Sequence, residues 1–455
     1  MALLEQNMSS GAFHNSEERY ESPKCLPETR LAILAYIMGY VRNTLQVLRV
    51  FFWLYGPVGV GKSAIAQTIA EMCEEEGLLA AAFFFSRLSD GRSNSKHLVA
   101  TIVYQLITTI PEIKHLVCAA IERDPMIFSK QLEAQMVSLV IGPLNTTFGG
   151  EENRERMPKR PALIIIDGLD ECIGGEVAHK RVLALLSLII HRSSFPLRVF
   201  VSCRPEPWIK ASFDSLQHTP ISIQLEEHHP SNDDIDTFLR SKFNAIKDTH
   251  PLGNYLSAIG WPSPPDFDHL RRKSHGLFLY AATAMRYVEF PRGRPDKWLD
   301  DILRLSATPP DDPNPFSELH LIYREILSNV NIADIKKVQE VIVLVRLDMY
   351  PSVSLSEVEF ILDYRPGDLQ IIMRDMHALM HIPPDSHKTL KIYHGSFLEF
   401  LFDRKSAGEF FVDLPSARSN IAWHWLQPSK HWPSGMPPQT YYYAMPMTSL
   451  YVTTN

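Results

Sequence analysis

The sequence has few cysteines and no excess of positive charge. Its five cysteines are odd in number and widely spaced, and no two are separated by only two residues. This usage argues against a disulfide framework and a zinc ribbon, and it favours a reducing compartment. The 45 Lys and Arg residues are outnumbered by 52 Asp and Glu residues, for a net charge of −7. Because nucleic-acid binding needs a basic, phosphate-neutralising face, we expect no nucleic-acid partner, although a local basic patch stays compatible with this balance.

Long hydrophobic runs and targeting segments are also missing. The longest apolar stretches, such as residues 182–190, are shorter than the ~18–20 residues of a membrane helix. Residues 1–11 lack the basic start and apolar run of a secretory signal. Hydrophobic residues make up 45% of the chain and charged residues 21%, which excludes a collagen-like or largely disordered protein. We therefore expect a cytoplasmic protein with no membrane contact.

The first half of the chain alternates predicted strands and helices. Apolar runs predict buried strands at residues 51–55, 80–85, 162–166 and 199–202, and a fifth strand is predicted at 221–225. Helical spacing of apolar residues predicts helices at 31–48, 63–76, 96–109 and 180–191. Strands that alternate with helices are typical of a parallel sheet with helices on both faces. The predicted fold class is therefore α/β, a doubly wound parallel sheet.

Only helices and two short strands are predicted after about residue 225. The helices lie at 233–246, 267–273, 277–288 and 299–305, and the strand-like runs at 378–382 and 390–393. A proline-rich linker occupies 309–315. The predicted domains are a polar lead-in at 1–30, the α/β domain at 31–225, a helical domain at 226–308, a third domain at 316–412, and a tail without repeats at 413–455.

The strongest motif is a glycine-rich run between a predicted strand and a predicted helix. Residues 56–63 read Gly-Pro-Val-Gly-Val-Gly-Lys-Ser and match G-x-x-x-x-G-K-[ST]. The glycines let backbone N–H groups wrap around phosphate oxygens, and the helix N-terminus favours negative charge at the same place. The lysine supplies a charge for the β- and γ-phosphates, and the serine hydroxyl completes a Mg²⁺ shell. The predicted nucleotide-binding residues are Gly56, Gly59, Gly61, Lys62 and Ser63.

Two further strand ends carry candidate catalytic residues. Asp167 follows the apolar run 163–166, at the sheet edge where ligands bind in such folds, and is the second predicted Mg²⁺ ligand beside Ser63. Asp170 and Glu171 follow within a turn, and one of them is expected to orient the attacking water. Arg204 ends another predicted strand and is placed to reach the γ-phosphate. A solvated acidic turn and a solvated arginine remain the alternatives.

These motifs resemble the NACHT domain of the signal-transducing STAND ATPases, most closely the large fungal NACHT group. The resemblance is carried by residues 56–63, by Asp167-Gly168-Leu169-Asp170-Glu171 and by Ser202-Cys203-Arg204-Pro205, with Gly168 between the acidic positions as the distinctive feature. Further similar stretches lie at 23–30, 83–87, 275–284 and 394–401, so that the resemblance covers about residues 15–427.

The resemblance implies a P-loop NTPase domain followed by a helical domain and, at 316–412, a winged-helix domain. His394 matches the winged-helix histidine that contacts the β-phosphate of ADP in relatives, although an ordinary exposed or core histidine is the alternative. Phe278 stands where plant and animal relatives usually have proline. The implied function is a switch that is closed with ADP, opens and self-associates with ATP and Mg²⁺, hydrolyses ATP slowly, and signals to protein partners that the resemblance does not name.

Two other readings of the chain stay open. One is a scaffold that binds nucleotide without hydrolysis, and the other is a conventional P-loop ATPase or kinase. Relatives usually continue into WD-type, ankyrin or TPR repeats, and residues 413–455 show no such pattern. This leaves a truncated family member and an incomplete gene model as two interpretations of the sequence.

Overall fold

The computed structural model describes residues 1–20, 22–42, 51–149, 162–216, 220–225, 232–290, 293–305, 316–346 and 354–426. These residues fall into two compact units, one ending at Asp234 and the other beginning at Ile235. Within the described ranges, no helix has the length and apolar character needed to cross a lipid bilayer. The predicted linker at 309–315 and the end of the predicted helix at 31–48 lie outside these ranges.

The first unit is built on one five-stranded sheet. Its strands are β1 (Phe51–Tyr55), β2 (Leu79–Phe84), β3 (Leu163–Asp167), β4 (Arg198–Cys203) and β5 (Ile221–Gln224). The strands are ordered β2-β3-β4-β1-β5, and every neighbouring pair is parallel. The sheet confirms the predicted α/β fold.

Helices cover both faces of this sheet. They are α1 (Ala2–Asn7), α2 (Leu31–Arg42), α3 (Lys62–Glu75), α4 (Leu98–Thr109), α5 (Lys114–Arg123), α6 (Leu132–Met136), α7 (Gly142–Phe148), α8 (Gly175–Arg192) and α9 (Pro207–Asp214). Successive side chains of a strand point to opposite faces. Accordingly Trp53 stacks on Phe213 of α9, with ring centroids 4.5 Å apart, whereas Phe52 packs on Tyr40 of α2 at 5.4 Å. Burial on both faces explains why β1, β2 and β3 appear as apolar runs, whereas the edge strand β5 is only partly buried.

The N-terminal segment, residues 1–20, packs into the first unit. The sequence did not predict this packing. Leu4 and Ala12 are completely buried in the core that includes one face of the sheet. The backbone N–H of Ser9 donates to the Thr101 hydroxyl on α4 at 2.9 Å, and the Asn7 carbonyl oxygen lies 2.7 Å from the His97 ring. Isolated apolar residues that each fill a separate gap produce no periodic pattern, so this segment resembled a polar lead-in.

Truncating Leu4 should therefore destabilise the protein. We expect Leu4→Ala to lower the free energy of unfolding by about 2–5 kcal/mol, because it removes a buried side chain and leaves a cavity. The neighbouring Leu3 is 39% exposed, against 0% for Leu4. Leu3→Ala is thus the matched control, with an expected change within about 0.5 kcal/mol. Urea unfolding curves measure both, and equal midpoints for the two variants would show that the segment does not pack as described.

The second unit is mainly helical. The helices after β5 are α10 (Asn232–Thr249), α11 (Gly253–Ala258), α12 (Pro264–Lys273), α13 (Phe278–Val288), α14 (Pro295–Arg304), α15 (Ser317–Ser328), α16 (Ile335–Arg346), α17 (Leu355–Ile361), α18 (Asp368–Ile372), α19 (Gly395–Phe402), α20 (Arg404–Ala407) and α21 (Leu414–Leu426). The two strand-like runs form an antiparallel pair, β6 (Met380–His381) and β7 (Lys391–Ile392). The four helices predicted between 233 and 305 and both strand-like runs are thus confirmed, with shifted ends.

Helix α21 lies at the start of the predicted tail at 413–455, where the sequence predicted no helix. Its start is capped by Asp413, whose carboxylate accepts the backbone N–H of Ser416 at 3.2 Å. Helix α21 packs against α16, and Ile421 is only 1% exposed. A helix that buries so narrow a stripe gives little hydrophobic periodicity, although Asp at an N-cap is a recognisable start signal.

Candidate functional site

The glycine-rich loop lies between β1 and α3, as predicted. Gly61 precedes the helix with φ of 96°, a left-handed conformation that side-chain-bearing residues rarely adopt. The Lys62 ammonium donates to the carbonyl oxygens of Gly56 at 2.8 Å and Pro57 at 2.7 Å, so it lies across the loop. Burial lowers the pKa of Lys62, and the nearby charge of Asp170 acts in the opposite direction. The loop therefore holds a half-buried cation at the N-terminus of a helix.

Asp167 lies at the carboxyl end of β3 and is 4% exposed. Its carboxylate accepts a hydrogen bond from the Ser202 hydroxyl on the neighbouring strand β4. Burial raises the pKa of Asp167, and hydrogen bonds from Ser202 and Ser63 oppose that rise. The structure thus brings together Ser63 and Asp167, the two residues predicted to hold Mg²⁺.

A magnesium ion suits this pair of oxygen ligands. A buried carboxylate is costly to ionise unless a cation or hydrogen-bond donors compensate it. No group of three or more His, Cys, Asp and Glu side chains forms a metal cluster within the described ranges. Mg²⁺ commonly takes only one or two protein ligands and completes its shell with water and substrate phosphates. Ser63 and Asp167 fit that mode of binding.

Gly168 turns the chain sharply after Asp167. Its φ is 68°, and an added Cβ would lie 3.3 Å from the Phe85 carbonyl oxygen. The turn leads into the short 3₁₀ helix Leu169–Glu171. Both candidate water-orienting carboxylates thereby follow Asp167, the predicted metal ligand, within one turn, and the left-handed conformation explains why glycine occupies the spacer position.

Asp170 and Arg204 form an ion pair next to the loop. The Asp170 carboxylate accepts the backbone N–H of Arg204 at 2.9 Å and lies 3.1 Å from its Nε. Asp170 is almost fully buried, whereas 27% of the Arg204 side chain is exposed. Arg204 thus lies at the end of β4 beside β1, and its predicted contact with the γ-phosphate stays a prediction.

Glu171 has a different environment from Asp170. Its carboxylate accepts the backbone N–H of Arg87 at 3.2 Å. Burial, followed by the charge of Asp170, raises the pKa of Glu171 to about 7. A carboxylate that titrates near neutral pH is suited to taking up a proton during a reaction.

Three arginines at this edge were not predicted as site residues. The Arg87 guanidinium donates to the Asp170 carbonyl oxygen at 2.7 Å. The charges of Asp167 and Glu171 both act on the pKa values of Arg19 and Arg92. Arg87 ends the similar stretch 83–87, whereas Arg19 and Arg92 come from segments that carry no motif. Only their placement in the structure associates them with the site.

His394 belongs to the second unit, where it caps helix α19. Its Nδ1 accepts the backbone N–H of Ser396 at 3.0 Å. The Ser396 hydroxyl in turn lies 2.8 Å from the Tyr323 hydroxyl. Because Nδ1 accepts, the neutral ring carries its hydrogen on Nε2, which makes that nitrogen a donor. The predicted contact of His394 with ADP stays a prediction. Phe278, which departs from the family pattern, is the first residue of α13.

Comparison with known proteins finds one family model. The model described as Nephrocystin 3, N-terminal, matches residues 43–204, a range that contains the glycine-rich loop, Asp167 and Arg204. No curated protein matches the chain.

Similar solved structures are distant. The Aeropyrum pernix ORC2 protein, solved as ADPNP-ADP complexes, has a TM-score of 0.38 at 12% identity, covering 91% of this chain and 98% of its own. The Walker-type ATPase PABY2304 of Pyrococcus abyssi has a TM-score of 0.37 at 14% identity, covering 83% and 97%. Drosophila ORC bound to DNA has a TM-score of 0.31 at 13% identity, covering 88% and 90%. Such low TM-scores support no inference about this chain. Its own parallel sheet, glycine-rich loop and strand-end carboxylate give the first unit the P-loop NTPase fold, with a phosphate-binding loop.

Proposed function

We propose that this protein is an ATP-binding switch of the STAND class with a NACHT-type domain, closed with ADP and able to self-associate with ATP. The observation that supports it is the convergence of Lys62, the Ser63–Asp167 contact and the Asp170–Arg204 pair at one edge of the sheet. The loop N–H groups, Lys62 and the N-terminus of α3 would bind the phosphates. Bound Mg²⁺, held by Ser63 and Asp167, would neutralise phosphate charge.

Slow hydrolysis is assigned to Glu171 rather than Asp170. Asp170 is engaged by two groups of Arg204, the backbone N–H and Nε. Glu171 accepts a hydrogen bond from the Arg87 backbone and has a pKa raised to about 7, mainly by burial. In this proposal Glu171 orients the attacking water, and Arg204 leaves Asp170 for the γ-phosphate when ATP is bound.

The closed state is assigned to His394 together with other phosphate contacts. In the proposed arrangement residues 226–308 are the helical domain, residues 316–412 are the winged-helix domain, and Nε2–H of His394 donates to the β-phosphate of ADP. Shifting a population from 1:99 to 99:1 takes about 10⁴-fold differential affinity, or roughly 5.5 kcal/mol. A single histidine cannot supply that much, so Lys62 and Arg204 must also bind differently in the two states.

Substituting His394 tests the switch. His394→Asn removes the imidazole but keeps a side chain favoured at helix N-caps. We expect faster release of a fluorescent ADP analogue and a larger mass by light scattering with ATP, because the closed form loses one contact. The control is His269→Asn, which changes an exposed histidine of the second unit. Release and mass equal to those of the unmodified protein would contradict the proposed role of His394.

Product analysis separates the switch from the other functions. Slow phosphate release that depends on self-association supports the switch. Transfer of phosphate to an added acceptor indicates a kinase, and the absence of any phosphate release indicates a scaffold. The proposal includes nucleotide and protein partners and no nucleic acid or membrane, in keeping with the net charge of −7.

A further inference from the structure

The N-terminal segment is hydrogen-bonded to α3, the helix that follows the glycine-rich loop. The Gln67 side chain on α3 donates to the His14 carbonyl oxygen at 2.9 Å. Further along α3, Glu74 lies 3.0 Å from the His14 ring and accepts the Asn15 side-chain amide at 3.1 Å. Because Gln67 follows Ser63 by four residues, the two lie on one face of the helix. The segment is thereby held beside the predicted Mg²⁺ ligand.

Arg19 extends from this segment to the acidic edge of the sheet. Its Nη2 donates to Gln67 Oε1 at 2.9 Å, and its guanidinium lies 3.8 Å from the centroid of the Phe84 ring. Phe84 pairs in register with Asp167 across β2 and β3. The Arg19 Nε is buried and has no hydrogen-bond partner among the described residues. A donor is thus left over beside the predicted metal ligand.

Arg92 approaches the same place from the loop after β2. Its side chain is 13% exposed, and its Nε lies 4.0 Å from a carboxylate oxygen of Glu18. That Nε is also buried without a hydrogen-bond partner in the described part of the chain. Burial, followed by the charge of Arg92, lowers the pKa of Arg19 to about 10. Guanidinium groups stay protonated in proteins, so the like charges of Arg19 and Arg92 repel each other.

The positive charges at this edge of the sheet favour binding of an anion. Five cationic side chains converge there, namely Lys62, Arg19, Arg87, Arg92 and Arg204. The four carboxylates of Asp167, Asp170, Glu171 and Glu18 compensate only part of this charge. Arginine is well suited to planar contacts with phosphate oxygens. We propose that Arg19 and Arg92 bind the terminal phosphate of ATP, so that the N-terminal segment distinguishes ATP from ADP.

This inference rests on the proposed function, since it requires that a nucleotide occupies the loop. It goes beyond that function by placing the γ-phosphate contact on a segment outside the sheet, and by giving the segment a part in sensing the nucleotide. The competing explanation is structural: the two arginines serve only as counterions for Asp167 and Glu171. That explanation predicts no preference between the two nucleotides.

Equilibrium binding of fluorescent ATP and ADP analogues to Arg19 variants tests the inference. We expect Arg19→Gln to weaken ATP binding about 10- to 100-fold, the range for losing a hydrogen bond to a charged group, and to leave ADP binding within about threefold. Arg19→Lys keeps the charge but loses the planar donor geometry, so its loss should be smaller. Arg181→Gln is the control, because Arg181 is exposed and pairs with Glu133 elsewhere on the first unit.

The possible outcomes distinguish this inference from the proposed function. An unchanged ratio of ATP to ADP affinity in the Arg19 variants, or an equal loss for both nucleotides with a lower melting temperature, would overturn the inference while nucleotide binding stands. Failure of the unmodified protein to bind either nucleotide would overturn both.

A second measurement needs no variant. We expect hydrogen exchange of residues 14–20 in the unmodified protein to be slower with a non-hydrolysable ATP analogue than with ADP, because only the triphosphate adds a contact to Arg19. Equal exchange in the two complexes would also overturn the inference.

Discussion

Lys62→Ala is expected to weaken binding of both ATP and ADP by at least about 30-fold, because truncating one partner of a hydrogen-bonded charge pair costs about 2–5 kcal/mol. The ammonium group is held by two carbonyl oxygens of its own loop, at 2.7 and 2.8 Å, at the N-terminus of α3. It is thereby placed in advance where phosphates would bind. Isothermal titration with each nucleotide, in the presence of Mg²⁺, measures the loss.

The control for Lys62 is an exposed lysine of the same unit. Lys180 is 52% exposed and pairs with Glu176 on helix α8. Lys180→Ala should leave both affinities unchanged, since surface ion pairs contribute little. If Lys62→Ala bound nucleotide as tightly as Lys180→Ala, the glycine-rich loop would not be the nucleotide site. That result would also contradict the proposed function.

Glu171→Gln is expected to slow ATP hydrolysis about 10²- to 10⁴-fold, the usual contribution of a general base, while ATP affinity stays within a few-fold. The amide keeps the size of the side chain but cannot take up a proton from water. In the unmodified protein, single-turnover hydrolysis should rise with pH through about 7, where Glu171 loses its proton. Glu176→Gln is the control, because Glu176 is an exposed carboxylate on α8.

The same substitution has a predicted effect on stability. The pKa of Glu171 is raised to about 7 in the folded protein, from an ordinary value of 4.5. The stability that its protonated form contributes is therefore present below about pH 4.5 and lost as the pH rises through about 7. Without nucleotide, Glu171→Gln should melt at a higher temperature than the unmodified protein at pH 8, and this difference should shrink toward pH 5. A difference that does not vary with pH would contradict the assigned environment of Glu171.

The fold of the first unit was predictable because its signals are local. The strands β1 and β3 are buried on both faces, so each appears as an unbroken apolar run. The glycine-rich loop joins a strand to a helix within a few residues, so its motif and its structural context are both visible in the chain. For the same reason Asp167 could be placed at the sheet edge from the run before it.

The partners of the site residues could not be predicted in the same way. Ser202 contacts Asp167 only because β4 lies between β1 and β3, an order that no local pattern specifies. Arg204 was predicted near a phosphate, and the structure pairs it with Asp170 instead of leaving it solvated. The capped helix α21 was also missed, because it buries too narrow a stripe to be periodic.

The glycine-rich loop, its lysine and serine, and the strand-end aspartate follow from the chain itself, because each depends on residues that are neighbours in sequence. Arg19 and Arg92 became part of the site only through folding, which brings the N-terminal segment and the loop after β2 to the carboxyl edge of the sheet. Electrostatic interactions depend on distance in space, and a sequence pattern records only distance along the chain. The charges that surround the proposed phosphate site were therefore visible only after the strands and the N-terminal segment had been placed.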